Sequence, residues 1–313
     1  MGALPPMNET EWQKAFSGYQ QIAQYKYLNQ HFTLSDFKFI FFWEWFHRLW
    51  ARLIGVVFLI PFIYFLGRRY FKSWMVLPLV VLFLLGALQG AIGWIMVKSG
   101  LNDNDLYVSH IRLAAHFVAA MILIAYAVVF WLKLVTMPEE KIGAAGIWSG
   151  AVALTVLVTI QLMYGAFMAG LKAAPVAPTW PDINGSVIPS GAFADGGFWN
   201  SIFHNAIAVH FIHRTLAYVI GIGIFIWWWQ AKGHRSAAFN RARNLTLFFV
   251  VFQIALGIFT VTNGDKITAG KFGTFEWLAE LHQLTGMLLF LSLIAAVYLS
   301  GGKRRPGYVT TVG

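Results

Sequence analysis

Trp43-Glu44-Trp45-Phe46-His47-Arg48-Leu49-Trp50-Ala51-Arg52 sets an acid, an imidazole and two guanidinium groups at the head of an apolar run that continues to about Leu66. Ionisable groups inside a membrane helix are costly and tend to mark function. Working outward, His213-Arg214-Thr215-Leu216-Ala217-Tyr218 opens a second such run, and His213 lies 166 positions after His47. His282 follows His116 at the same spacing of 166. Of 313 residues, 58% are hydrophobic and only 12% are charged, and mean hydropathy is +0.62, whereas a soluble domain carries roughly 25% charge. The chain reads as an all-α polytopic membrane protein.

Apolar runs near 39–66, 74–97, 108–134, 147–170, 204–229, 245–262 and 277–300 predict seven crossings, several reaching the ~20 residues that span a bilayer. The net charge of +10 gathers in 67–72, 231–243 and Lys303-Arg304-Arg305. Placing those segments inside satisfies the positive-inside rule, and loops 98–107, 172–203 and 263–276 then face out. The basic balance is thereby spent on topology, and no nucleic-acid partner is expected. There is no cysteine, which excludes disulfides, thiolate metal sites and covalent CxxCH heme attachment. With no signal or transit peptide visible, a multi-pass protein of the bacterial inner (cell) membrane is favoured over one of the mitochondrial inner membrane. The organisation reads as an outer-face segment 1–38, an N-terminal half-bundle 39–134, a linker 135–146, a C-terminal four-helix bundle 147–302 and a cytoplasmic tail 303–313. Met7-Asn8-Glu9-Thr10-Glu11-Trp12 looks like a capped amphipathic helix start.

An internal repeat supports two pseudo-symmetric helix bundles. Gln89-Gly90-Ala91-Ile92-Gly93, with Val97 and Gly100, matches Gln253-Ile254-Ala255-Leu256-Gly257, with Val261 and Gly264, at an offset of 164. Runs one to three thus correspond to runs five to seven, and run four has no counterpart. The expectation is that a further first helix belongs to the architecture. The Gln-xxx-Gly turns themselves read as helix packing.

His47, His116, His213 and His282 each fall about two turns from the predicted outer start of a helix, on the order of 10 Å in. A single membrane histidine is ordinarily an interhelical hydrogen-bonder. Four at repeat-related positions favour a flat cofactor gripped by axial imidazoles, and heme is the natural candidate. Arg48 and Arg214 stand ready for heme propionates, because a guanidinium binds a carboxylate bidentately. His31 and His234 read as loop residues, and His110 and His204 as helix starts. The halves differ: Glu44 projects onto His210 and Arg112 onto Leu278, so only the first half carries an acid and a guanidinium by its histidines. An acid there suits proton handling, which assigns catalysis to Glu44, His47 and His116. His213 and His282 become the ligands of a holding or electron-relay heme. Alternatively, Glu44 and Arg112 neutralise each other as an ion pair.

Glu44-xx-His47-Arg48, Gln89-xxx-Gly93-Trp94-xx-Val97-Lys98-Ser99-Gly100-Leu101, Arg112-Leu113-Ala114 ahead of His116, His213-Arg214 and Leu281-His282-Gln283-Leu284-Thr285-Gly286 together resemble heme A synthase over nearly the whole chain. The resemblance implies eight helices in two four-helix bundles, seven of them in this sequence. It implies heme b as cofactor on His213 and His282, with Arg48, Arg112 and Arg214 among the heme-binding residues. It implies heme O as substrate near His47 and His116, Glu44 being needed for activity. The reaction implied is oxidation of the C8 methyl of heme O to the formyl of heme A, for terminal oxidases. Candidate partners are an electron donor of unknown identity, heme O synthase, the lipid bilayer and a second copy of the chain. The sequence departs from the family in lacking its first helix, and it falls with the cysteine-free group. A bis-histidine b-type cytochrome is the alternative, but it leaves Glu44 and Arg112 without a role. A transporter fits worse, since the repeats run in the same direction and no helix is broken at midplane.

Overall fold

In a computed structural model of the protein, residues 4–100, 102–193, 196–267 and 272–302 are described. Leu101, the tail 303–313 with its basic cluster, and short parts of loops 172–203 and 263–276 lie outside them. The described residues form α1 (Glu9–Tyr19), α2 (Ala23–Tyr27), α3 (Leu34–Gly67), α4 (Ser73–Val97), α5 (His110–Val135), a 3-10 turn at Pro138–Glu140, α6 (Ala145–Gly170), α7 (Ala173–Val176), α8 (Gly197–His204), α9 (Ala206–Gln230), α10 (Ala237–Thr262) and α11 (Thr274–Ser300). Seven of these, α3 to α6 and α9 to α11, are long and apolar enough to cross a membrane. The protein is a multi-pass helical membrane protein, as its hydropathy predicts.

Two compact units, Met1–Leu123 and Ile124–Gly313, divide the chain within α5. In the first, the expected helix start at Met7–Trp12 is present: the Asn8 side chain caps α1 by accepting from the Glu11 N–H at 2.9 Å. α1 packs its aromatic rings on the head of α3. Trp12 meets Phe41 edge-on at 5.0 Å and Tyr19 stacks on Phe37 at 5.1 Å. α3 begins earlier than the apolar run because Thr33 and Asp36 form a reciprocal capping box, satisfying backbone donors that would otherwise be orphaned. Farther along, Trp50, Ile54, Val57 and Ile60 of α3 are exposed, and α4 has no fully buried residue. In a membrane such faces meet acyl chains or further protein.

The second unit packs α6, α9, α10 and α11 against one another. Its interior holds Val158, Ile220, Ile224, Phe239 and Leu293. Close approach is bought with small residues. Gly150 leaves room for the Trp227 indole, where a Cβ would come to 2.9 Å of Cδ1, and the indole N–H donates to the Ile147 carbonyl at 3.0 Å. Polar groups in this interior pair across helices: the Thr246 and Ser292 hydroxyls are 2.9 Å apart, and both are buried.

These two kinds of contact differ in weight. Thr246→Val should cost about 0.6 kcal/mol, the average for an interhelical hydrogen bond in a membrane protein. Leu293→Ala leaves a void and should cost about 2–5 kcal/mol. Thermal unfolding in detergent micelles checks the ranking; equal shifts would mean that packing does not dominate this bundle.

Candidate functional site

The predicted histidines are best located along their own helices. Because α3 is 34 residues long, His47 is farther from its helix start than expected, 13 residues against 6 to 8 for the other three. Counted from the far ends, Gly67, Val135, Gln230 and Ser300, all four stand 17 to 20 residues in. The reference end differs from the expected one, because the first turns of α3 serve to dock α1.

In the second unit, His213 on α9 and His282 on α11 face each other with ring centres 6.3 Å apart and planes at 69°. Imidazole nitrogens bind first-row metals at about 2 Å, so a metal between two axial imidazoles sets their ring centres roughly 6 Å apart. Nδ1 of His282 is buried without a hydrogen-bond partner, as is Oε1 of the neighbouring Gln253. Spacing, donor chemistry and unpartnered atoms all fit a heme iron. Among the described residues no cluster of three or more His, Cys, Asp or Glu side chains could hold a bare metal ion.

In the first unit, His116 on α5 is partly buried and His47 on α3 is exposed. The two imidazoles are near enough for their charges to interact. Glu44 does not pair with Arg112, the alternative that the sequence left open. It pairs with Arg48 one turn along α3, Oε1 to Nη1 at 3.0 Å, while Arg112 donates to the Ile95 carbonyl of α4 at 3.2 Å. The repeat explains the first choice. At the equivalent positions in the second unit, Arg214 donates from Nε to Nε2 of His210 at 3.0 Å, again across four residues.

Arg214 is further committed. Its Nη1 donates to the Asp182 carbonyl at 2.6 Å, and Nη2 donates to the Thr179 carbonyl. A heme carboxylate would have to share or displace these contacts. One turn on, the Tyr218 hydroxyl accepts from the Trp180 indole at 3.2 Å. His210, Arg214 and Tyr218 thus form a stripe that fastens the loop Thr179–Gly185 to α9, while the adjacent His213 faces the interior. The loop locks itself through the Gly185 N–H, which donates to Oδ1 of Asp182 at 2.9 Å.

What sequence reasoning missed is the role of the Gln-xxx-Gly turns. They do pack, but against the histidines. Gln89 donates to the His116 carbonyl at 3.0 Å, and a Cβ on Gly93 would come to 2.8 Å of that imidazole. The Gln253 amide nitrogen lies 3.2 Å from Nε2 of His282, and a Cβ on Gly257 would reach 3.0 Å. A third copy, Gln161 with Gly165, sits on α6, the helix without a repeat counterpart. Gln161 donates to the His213 carbonyl at 3.0 Å and touches both ring nitrogens, at 3.2 and 3.3 Å. Its five-residue pattern was readable, but nothing in the offset of the halves pointed to it.

Fold and site together define a helical membrane protein with paired interhelical histidines suited to axial ligation of heme. The match over residues 1–294 to the COX15-CtaA family, described as cytochrome oxidase assembly protein, makes the chain a member of that family. It is 42% identical to a protein from Rhodopseudomonas palustris (strain TIE-1) named heme A synthase, over 83% of this chain and 70% of that one. It is 36% identical to a protein of the same name from Maricaulis maris, over 95% and 84%. A Novosphingobium aromaticivorans protein of that name is 38% identical over 97% and 85%. No solved structure matches the chain.

The Gly185 N–H and Thr179 hold the Asp182 carboxyl below its ordinary range. A carboxyl lowered in the attached loop supports attachment above its ordinary value, and that support is lost as pH falls through the lowered one. Protection across 176–186, the intrinsic exchange rate at each pH divided by the observed rate, should therefore be high at pH 7 and fall at strongly acidic pH. Asp182→Asn should exchange faster at pH 7 and respond less to acid; an unchanged acid response in that variant would remove Asp182 from the explanation.

Proposed function

We propose that the chain converts heme O to heme A by oxidising the C8 methyl to a formyl group, with heme O taken up at His47 and His116 and heme b resident between His213 and His282. The broad assignment stands on family membership and on relatives named heme A synthase: the protein is an oxidoreductase of heme A formation. The observation that carries the finer one is the facing pair His213 and His282, with ring centres 6.3 Å apart and a buried, unpartnered Nδ1 at His282.

The chain's residues divide the labour. His47 on α3 and His116 on α5 belong to the first unit, where the substrate is placed. His213 and His282 lie within a four-helix interior, which suits a cofactor that stays. Turning a methyl into a formyl is a four-electron oxidation. With water as the oxygen source, –CH3 + H2O gives –CHO + 4 H+ + 4 e−, the electrons going to an acceptor. With dioxygen in two hydroxylations, –CH3 + 2 O2 + 4 H+ + 4 e− gives –CHO + 3 H2O, the electrons coming from a donor. Glu44 is the acid nearest His47 along α3, 3.0 Å from Arg48, and is the group placed to move protons. Arg112, anchored on the last turn of α4, offers a cation to the substrate's carboxylates. Heme b, when bound, supplies one-electron transfer toward an acceptor or from a donor of unknown identity. The bacterial cell membrane is the proposed home; heme O synthase as a neighbour and a second copy of the chain complete the proposed partners.

The engagement of Glu44 by Arg48 favours one second reading, a b-type cytochrome in which that pair is purely structural. Expression of the full chain in cells that make heme O, followed by heme extraction, separates the two. Heme A should form, and Glu44→Gln should lower its yield by about 10²-fold or more, the scale of a lost acid–base group, with heme b retained. Unaltered heme O beside a full complement of heme b would establish the cytochrome instead. His213→Ala and His282→Ala should each deplete heme b, and full retention in either would overturn the ligand assignment.

A further inference from the structure

The three glutamines are part-buried, and in each the same buried atom is unsatisfied. Oε1 of Gln89, Gln161 and Gln253 each lacks a hydrogen-bond partner. So does Nδ1 of His116 and of His282. In two of the three helix pairs a lone acceptor thus stands next to a lone donor. Buried polar groups are rarely left this way, and the cost is higher where no water competes. The amide nitrogens meanwhile point at the ring atoms that a metal would need: Gln253 at Nε2 of His282, and Gln161 at both nitrogens of His213.

We propose that Gln89, Gln161 and Gln253 are positioning residues for His116, His213 and His282, each carboxamide oxygen accepting the Nδ1 proton so that Nε2 is the nitrogen offered to the porphyrin iron. The inference rests on the heme reading above and extends it. Once Nε2 engages a metal it can no longer accept from an amide N–H. A turn of the amide and ring then satisfies both lone atoms at once. Metal-bound histidines characteristically donate their other ring N–H, and the partner fixes the tautomer and raises the basicity of the ligand. The glycines one turn after Gln89 and Gln253 serve the same end. At Gly93 and Gly257 a Cβ would press on Cε1 of the imidazole, at 2.8 and 3.0 Å, so only glycine lets the ring lie against the helix and turn there.

The resident heme reads this directly. In the full chain purified with heme b, Gln253→Glu supplies a stronger acceptor and should shift the midpoint potential down, with low-spin absorption kept. Gln253→Met has similar bulk and no acceptor, and should shift it up. Gln161→Glu and Gln161→Met should move the same heme in the same two directions through His213. Packing alone would alter heme content and melting temperature but leave the potential of the retained heme unmoved. Unchanged potentials, shifts of one sign in both kinds of variant, or loss of heme from all four alike would each overturn the inference. A wild-type chain without low-spin heme would instead overturn the heme reading on which it rests.

Discussion

A hydrogen-bonding group in an apolar interior must find its partner within the protein, and in this chain the amide nitrogens of three glutamines do so by reaching histidines across neighbouring helices. Lipid offers no competing partner, so each meeting sets the register and rotation of two helices together. Gln89 ties α4 to α5, Gln161 ties α6 to α9 and Gln253 ties α10 to α11. The neighbouring small residues follow from that. A glycine a turn later lets an imidazole lie against the helix backbone, and Gly286 on α11 lets Gln253 and Leu162 approach, with a Cβ there coming to 3.1 and 3.3 Å.

The same constraint explains how the halves diverge without losing their frame. An arginine on a spanning helix needs an acceptor, and a residue one turn earlier provides it in both units. His210 does so for Arg214 by a hydrogen bond at 3.0 Å, and Glu44 for Arg48 by an ion pair at 3.0 Å. Exchanging an acid for an imidazole changes what else the arginine can do. A neutral imidazole leaves the guanidinium seeking further acceptors, and Arg214 takes the carbonyls of Thr179 and Asp182, closing a loop onto α9.

The fold was largely legible in the sequence, because hydropathy over some twenty residues reports directly on crossing a bilayer. Five spanning helices lie within three residues of their predicted limits. α10 begins eight residues early, at Ala237 after its Ser236 cap, so part of the basic segment 231–243 is helical, and α3 begins five residues early. The start of α3 moved because it is governed by the Thr33–Asp36 capping box, a polar signal in a segment read only for its lack of apolar character. The histidines were legible because duplication repeats them. Gln161 was not, because its helix has no repeated counterpart within the chain. Which acceptor an arginine chooses was not legible either: Glu44 faces Arg48 and Arg112 alike in sequence, and only the course of α4, with the Ile95 carbonyl within reach, assigns Arg112 elsewhere.

These contacts also revise what the repeat is. An offset between halves treats each half as the unit. The contacts make the unit smaller: a helix bearing Gln-xxx-Gly, followed in the chain by a helix bearing the histidine that it holds. The pair occurs as α4 with α5, α6 with α9, and α10 with α11, and the separation of glutamine from histidine is 27, 52 and 29 residues. The longer middle value reflects the inserted loop with α7 and α8, not a different device. Two such pairs, set together in the second unit, bring two imidazoles to 6.3 Å.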